Sequence, residues 1–187
     1  MQAMRVRFAS TALAALLATT ATGCSILIGN VKPSSEKAEG YGVMDLTRQT
    51  PPWVLVKTEE EADPDGATEG DTSDVAYQSP KTASIISLNS SCGVDAGDER
   101  DLRAITNLVL LGITGTAGRD ERKIKAAGLP ALQTTVKGKL NGETMMLRTV
   151  VLRNDSCSYD LMYVARPRHF ASEEAVFSSF VSSLRLQ

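Results

Sequence analysis

The stretch from Leu132 to Val151, LQTTVKGKLNGETMMLRTVV, contains the clearest structural signal in the chain. Apolar residues alternate with polar ones on both sides of Asn141-Gly142. This dipeptide is typical of a type I′ hairpin turn, whose two central residues both need a positive φ. A two-residue turn pairs residue 140 with 143, 136 with 147 and 132 with 151, which places both apolar sets on one face. The pattern therefore predicts a long antiparallel hairpin.

The flanking segments extend this hairpin into a larger sheet. Alternation at Tyr159, Leu161 and Tyr163, after a turn at residues 155–158, predicts a third strand of a meander. Upstream, Trp53–Val56 follows two prolines and reads as a first or edge strand. Two further short strands are expected at Val75–Tyr77 and Ala83–Leu88, on either side of a turn at Pro80.

Two segments have helical spacing. Asp98 can cap a mid-chain helix from about Glu99 to Leu111, and glycines 112, 115 and 118 then act as its C-cap and loop instead of a phosphate-binding site. Its predicted apolar face consists of Leu102, Ile105, Leu108 and Val109. A terminal helix should begin near Ser172, where Glu173 and Glu174 favour the positive end of its dipole. Its predicted apolar stripe consists of Phe177, Phe180, Val181 and Leu184.

This order of elements predicts the α+β class. We expect an antiparallel sheet that includes a three-stranded meander, with the mid-chain helix and the C-terminal helix packed on it. The charged cluster of Arg119, Arg122, Lys123 and Lys125, with Asp120 and Glu121 among them, is expected to form a solvated helix face and not an anion site.

An export signal precedes the predicted domain. Arg5 and Arg7 lead into an apolar run from Phe8 to Leu17, which is too short to span a membrane and ends in ATGC at residues 21–24. This segment resembles the lipobox of bacterial lipoproteins, with Ala21 where that family more often has leucine. The resemblance implies cleavage before Cys24, diacylglycerol on its sulfur, and, because Ser25 follows, an outer-membrane anchor facing the periplasm or exposed at the surface. The alternative is an ordinary exported protein in which Cys24 is incidental.

The predicted organisation is therefore a signal peptide at 1–23, a polar tether at 24–40 and one globular domain at 41–187.

The leader holds two of the 20 basic residues and none of the 22 acids, so the remaining chain has 18 basic and 22 acidic residues, a formal charge of −4. This balance argues against nucleic acid as a partner, because phosphate binding requires a basic surface.

Cysteine usage fits an oxidising compartment. Of the three cysteines, one is assigned to the lipid, which leaves Cys92 and Cys157 to form a structural disulfide. Each ends a polar segment, NSSC at 89–92 and NDSC at 154–157, which we expect to be a turn after a strand. Two free buried thiols and a redox pair are the alternatives, although there is no Cys-x-x-Cys spacing.

Residues 59–74 carry eight of the 22 acidic residues and no basic residue. A long solvated loop is the expected structure. The alternative is a calcium site at Asp63 and Asp65, but the following glycine falls too early for an EF-hand loop.

No catalytic motif is recognisable. The single histidine, His169, is expected in a loop before the last helix, and the chain has no second histidine for a metal site. We therefore predict neither an enzyme, nor a metal, nor a cofactor; the alternative is a hydrolase whose Ser/His/Asp site assembles from distant positions.

Four features together resemble PsbP-like proteins and related envelope lipoproteins: Asp74–Tyr77 before the strand Ser84–Leu88, the mid-chain helix, the meander from Leu132 to Ala165, and the closing VFSSFV at 176–181. The resemblance implies a non-enzymatic accessory or assembly factor that binds another envelope component. The alternative hypothesis is a carrier of a small apolar or lipid ligand, held between sheet and terminal helix in a pocket lined by Met145, Leu147, Tyr163 and Phe177.

Overall fold

A computed structural model describes residue 38 and residues 40–56, 73–92, 102–155 and 157–186. In these ranges a seven-stranded antiparallel sheet has the order β2-β3-β4-β8-β7-β6-β5, and β1 pairs with β9 in a separate two-stranded sheet. The fold is α+β, as the sequence predicts. The strands are β1 (Tyr41–Gly42), β2 (Val54–Leu55), β3 (Val75–Gln78), β4 (Ile85–Cys92), β5 (Arg119–Ala126), β6 (Leu129–Leu140), β7 (Glu143–Asn154), β8 (Cys157–Ala165) and β9 (Arg185–Leu186). The helices are α1 (Leu102–Val109), α2 (Pro167–Ser183) and a short 3-10 turn (Leu46–Arg48).

The β6–β7 hairpin has the predicted register. Leu140 lies opposite Glu143, Val136 opposite Leu147 and Leu132 opposite Val151. Asn141 and Gly142 have φ values of 52° and 82°, which suit a type I′ turn. β8 follows β7 as the predicted third strand, and β2 lies at an edge of the sheet, as expected for the segment after the prolines.

Residues 119–126 correct one prediction, because they form edge strand β5 and not a helix face. Their charged side chains hide the strand pattern, since only Ile124 and Ala126 supply alternating apolar side chains. Charge on an open edge is a common protection against pairing with another sheet. Glu121 joins this edge to α1 through an ion pair with Arg103, whose hydrogen bond lowers the pKa of the Glu121 carboxyl.

The segment NSSC at 89–92 is a second correction. It is not a turn, because it continues β4 and pairs with residues 157–160 of β8 along its whole length. The β4–β8 ladder provides backbone partners that outweigh the local turn preference of these small polar side chains. The matching segment at 154–157 does contain the β7–β8 turn, with Asp155 at a φ of 50°.

The sheet has two apolar faces, which we call the α2 face and the α1 face. The α2 face includes the apolar residues Ile86, Leu88, Val150, Leu152, Leu161 and Tyr163. The α1 face includes Val136, Leu140, Leu147, Met162 and Val164, with Val109, Leu110, Ile113 and Met145 packed against them. Successive side chains of a strand point to opposite faces, so the single run of β7 supplies both.

α2 covers the α2 face, and the residues of its predicted stripe are all buried. The helix begins at Pro167 and not near Ser172, so the predicted start was wrong by more than one turn. Proline suits the first helical position, because its missing N–H would have no partner there and its φ is already helical. His169 consequently lies in the first turn of α2 and not in a loop.

The described residues of α1 lie within the predicted mid-chain helix, which ends at Val109 and not at Leu111, while Asp98 and residues 99–101 lie outside the described residues. Leu108 was assigned to its apolar face, but 47% of this residue is exposed. The three glycines after it have positive φ values and form a loop, as expected. This loop lies along β6, where Thr114 forms two backbone hydrogen bonds with Lys139, at 3.0 and 2.7 Å.

Candidate functional site

The α1 face carries a groove of about 420 Å³ that is open to solvent. Its floor is apolar, whereas its walls are largely polar turn residues. The floor consists of Ile85 (β4), Leu140 (β6), Met145 (β7) and Val164 (β8). The walls consist of Gln78, Thr82, Ala83, Asn141, Glu143 and Arg166. Concave, mostly apolar surfaces with a few convergent polar groups are the usual form of ligand sites, and we take this groove as the candidate site.

One wall of the groove is the β3–β4 turn, and α2 holds it from the other side of the sheet. Glu173 accepts hydrogen bonds from Ser79 Oγ and Thr82 Oγ1, both at 2.6 Å. The amide of Ser79 donates to the carbonyl of Ser84 at 2.8 Å, which closes the turn. Ala83, at the lip, has a φ of 57°. A non-glycine residue in this region needs support from its surroundings, and the bonds to Glu173 provide it.

The opposite wall carries the charges of the groove. Arg166 Nη2 lies 3.1 Å from Glu143 Oε2, and the two side chains are 48% and 62% exposed. Arg166 is the N-cap of α2, and its φ and ψ of −63° and 143° are the extended values that a following proline favours. The ion pair therefore joins the end of the β6–β7 turn to the start of α2 at the edge of the groove.

The structure separates the four residues predicted to line a pocket. Met145 lies in the groove and Leu147 is buried on the same face. Tyr163 and Phe177 lie on the opposite face, where their rings stack with centroids 5.7 Å apart. The predicted pocket between sheet and terminal helix is therefore wrong, because aromatic side chains fill that space. Tyr163 and Met145 occupy opposite sides of the sheet, a consequence of strand alternation that the prediction did not apply across β7 and β8.

Polar contacts hold α2 against the α2 face of the sheet. Tyr163 donates its hydroxyl hydrogen to the Phe170 carbonyl at 2.9 Å. Burial, together with nearby Glu173, raises the pKa of Tyr163 to about 12. Arg148 forms an ion pair with Glu174, donates to Thr135 Oγ1 at 2.9 Å and lies 5.2 Å from the ring centroid of Phe170. These contacts fix α2 on the sheet.

A separate polar cluster holds the segment that enters the domain. Tyr41 donates to Asp74 Oδ2 at 2.8 Å, and Ser90 donates to the same oxygen. The Ala38 amide in turn donates to Ser90 Oγ at 2.9 Å. Burial and the Asp74 carboxylate raise the pKa of Tyr41 above its ordinary value. The chain thus joins the domain at the Ser90 end of β4, whereas Ile85 at the other end of this strand lies in the groove.

Cys92 and Cys157 form a disulfide across the ends of β4 and β8, which is the pairing expected from the sequence. The two residues are directly opposite each other in the ladder. The disulfide lies at the same end of the sheet as the Tyr41 cluster and contacts no residue of the groove wall.

The other predicted sites lie elsewhere. Cys24, Asp63 and Asp65, with all but the last two residues of the acidic loop, are outside the described residues. Across the part of the chain that the structure describes, no three histidine, cysteine or acidic side chains are close enough to hold a metal. His169 accepts a hydrogen bond at Nε2 from Arg168 at 2.9 Å. Of the helices described, none is long and apolar enough to cross a membrane.

Comparison with solved structures supports the fold. A protein of unknown function from Pseudomonas aeruginosa is 17% identical with a TM-score of 0.50, over 72% of this chain and 97% of that one. Cyanobacterial PsbP from Synechocystis is 14% identical with a TM-score of 0.50, over 85% and 96%. LpqN of Mycobacterium tuberculosis, involved in cell envelope biogenesis, is 13% identical with a TM-score of 0.39, over 82% of each chain. No protein-family model and no curated protein matches the chain.

At these identities the first two likenesses show a shared fold alone. The chain therefore has a fold similar to that of PsbP, which agrees with the resemblance seen in its sequence. Sequence reasoning missed the groove because its walls come from turns far apart in the chain. Met145 was the one groove residue selected from the sequence, and it was assigned to a pocket under the terminal helix instead of to the α1 face.

Proposed function

We propose that this chain is a lipid-anchored, periplasm-facing accessory protein of the cell envelope that binds another envelope component in the groove of the α1 face. The observation that carries the proposal is the groove itself, an apolar concave surface that is open to solvent. The role is one of binding, because the groove has an apolar floor and a few polar residues at its walls.

The anchor is the lipid on Cys24. Cys24 and Ala38 are fourteen positions apart, a segment that spans at most about 50 Å when extended, which sets the upper limit of the distance between bilayer and domain. Ser90, where Ala38 binds, is five residues along β4 from Ile85 in the groove, a distance of about 17 Å. The groove is thus at the end of the sheet away from the entering chain, which supports a binding surface directed into the periplasm.

The binding role can be tested by placing a photoreactive amino acid at residue 145 of the full-length protein in cells. Illumination should trap an envelope component at this position. The same amino acid at Ala175, an exposed position of α2 on the opposite side of the domain, is the matched control and should trap little. Equal yields at both positions, or none at residue 145, would contradict the proposal.

The anchor has its own test. The Cys24→Ser variant should lose labelling by a radioactive fatty acid, whereas the parent protein should be labelled and fractionate with outer membranes. A parent protein that takes up no label would refute the anchor, and recovery only with inner membranes would refute its final location.

A second candidate function, carriage of a small apolar ligand, is favoured by the size of the groove. Its volume of about 420 Å³ falls within the range of small-molecule sites, about 300–1,000 Å³. Mass spectrometry of an organic extract of the purified protein should then detect a carried molecule. An extract without any such molecule would count against this function.

A further inference from the structure

We propose that the groove binds a single-chain amphiphile whose head group carries one positive and one negative charge. This inference rests on the proposed binding role of the groove and names the chemical class of its ligand. The apolar chain would lie on Ile85, Met145 and Val164, and the head group would lie between Arg166 and Glu143.

The groove floor favours an apolar chain. Met145 and Ile85 are half-buried, so each still exposes apolar surface that a ligand can cover. Val164 and Leu140, 3% and 8% exposed, close the bottom of the groove. The volume of about 420 Å³ lies in the lower part of the range for small-molecule sites, which favours one chain over two.

The charged residues of the lining favour a head group with two charges. Arg166 and Glu143 are the only ionised side chains among the residues that line the groove, and their formal charges cancel. A purely anionic head would pair with Arg166 but would face the like charge of Glu143, whereas a cationic head would face Arg166. A zwitterionic head can satisfy both side chains at once.

The ion pair can also be exchanged at little cost. Both side chains are about half exposed, and pairs of this kind contribute little net stability because water competes for both charges. A guanidinium has five N–H donors, and the contact with Glu143 uses Nε and Nη2 alone. Arg166 therefore keeps donors for a phosphate or carboxylate of the ligand while it remains near Glu143.

The surroundings of the pair are fixed before a ligand arrives. Pro167 restricts the backbone of Arg166, and Glu173 holds the facing turn through Ser79 and Thr82. A wall that is already ordered loses less conformational entropy on binding, which raises affinity for a ligand of matching shape.

The test uses three photoreactive probes with the same dodecyl chain and different heads: a carboxylate, a trimethylammonium and a phosphocholine. Each is added to the full-length protein in vesicles, and peptide mapping measures labelling of the groove. The phosphocholine probe should label the groove most strongly. Shortening the chain should weaken binding by up to about fourfold for each methylene removed. Each methylene removed takes away the favourable free energy of its transfer from water to the groove.

Two variants test the head-group assignment. Glu143→Gln should shift the ratio of carboxylate to trimethylammonium labelling about threefold toward the carboxylate, and Arg166→Gln should shift it about threefold the other way, as expected for half-exposed charges. Arg168→Gln is the matched control, because this exposed arginine does not line the groove, and it should leave the ratio unchanged.

Equal labelling by all three probes, or a ratio that neither variant changes, would overturn the proposal. Labelling confined to peptides outside the groove would do the same. These failures are distinguishable from failure of the proposed function: a protein trapped from residue 145 in cells, without head-group selectivity in vesicles, would keep the binding role and remove the amphiphile.

Discussion

The two faces of the sheet differ in how completely they are covered. On the α2 face, the 17-residue helix α2 packs its own Phe177 and Phe180, 1% and 0% exposed, against the sheet. On the α1 face, an eight-residue helix has one buried residue, Thr106, while Leu108 and Leu111 remain 47% and 49% exposed. The same alternating strands supply both faces. Stability is thus concentrated on one side of the sheet, and the surface available for binding on the other.

The extent of helix that the structure describes on each face accompanies this difference. At 1.5 Å per residue, α2 is about 25 Å long and the described residues of α1 span about 12 Å. The 12-residue strands β6 and β7 are about 40 Å long, which exceeds the span of the described residues of α1. The groove occupies part of what remains, next to the β6–β7 turn. Apolar surface near this turn therefore remains open beside the described part of α1.

The largest effect should follow from removing an aromatic side chain on the α2 face. Phe177→Ala should reduce the free energy of unfolding by about 3–5 kcal/mol, because it leaves a cavity against Tyr163 in a closely packed region. Urea denaturation followed by circular dichroism measures the change.

The matched substitution on the α1 face is Met145→Ala. It should cost about 1 kcal/mol or less, because this side chain lies at an open groove where water or neighbours can occupy the vacated space. If both variants lost the same free energy, the two faces would contribute equally to stability and the comparison would fail.

Substitution of Gly138 tests how closely the loop after α1 packs against β6. A Cβ at this position would lie 2.5 Å from Cγ2 of Ile113 and 3.1 Å from the carbonyl oxygen of Thr114, which the hydrogen bonds to Lys139 hold in place. Gly138→Ala should therefore destabilise the protein by about 1–3 kcal/mol. Gly42→Ala, where a Cβ has no atom within 4 Å, should stay within about 0.5 kcal/mol of the parent in the same thermal denaturation experiment. Equal losses of stability in the two variants would show that the loop after α1 moves away from β6 at little cost.

A further test concerns the hydroxyl of Tyr163. Tyr163→Phe should cost about 1 kcal/mol at neutral pH through loss of the hydrogen bond to Phe170. The folded state raises the pKa of Tyr163 from 10.0 to about 12, so it holds the proton more tightly than the unfolded chain does. The resulting stability is complete below pH 10 and is lost as the pH rises toward 12.

The variant should therefore lose less stability than the parent across this alkaline range, which urea denaturation at a series of pH values can measure. Tyr41, whose pKa is also raised, remains in the variant and preserves part of the slope. Identical slopes in parent and variant would mean that Tyr163 titrates normally in the folded protein.

Local sequence patterns predicted much of the fold. The hairpin register follows from Asn141-Gly142 and from alternation, and both lie within one short segment. The buried stripe of α2 follows from helical spacing alone. β5 was missed because an open edge requires charge and not apolar alternation, and residues 89–92 were assigned to a turn because their pairing partner lies on β8, far along the chain.

The candidate site was less predictable for the same reason. Met145 could be selected as apolar and Tyr163 as a strand residue, but only the pairing of β7 with β8 shows that they point to opposite sides. Arg166 gave no signal, since its position depends on where α2 begins. The groove is built from the ends of several strands, so no single segment of the sequence contains a pattern that predicts it.

The pairing of β1 with β9 has a consequence for how the chain completes its fold as it is made. Tyr41 pairs with Leu186 and Gly42 with Arg185, so β1 cannot pair until β9 is present. The β5–β8 meander, in contrast, connects neighbours in sequence and can pair as soon as each strand emerges. Closing so long a loop carries an entropy cost that the sheet must first reduce by bringing the two ends together. Tyr41 and Gly42 therefore gain their strand partners last, although they form the first strand of the described residues.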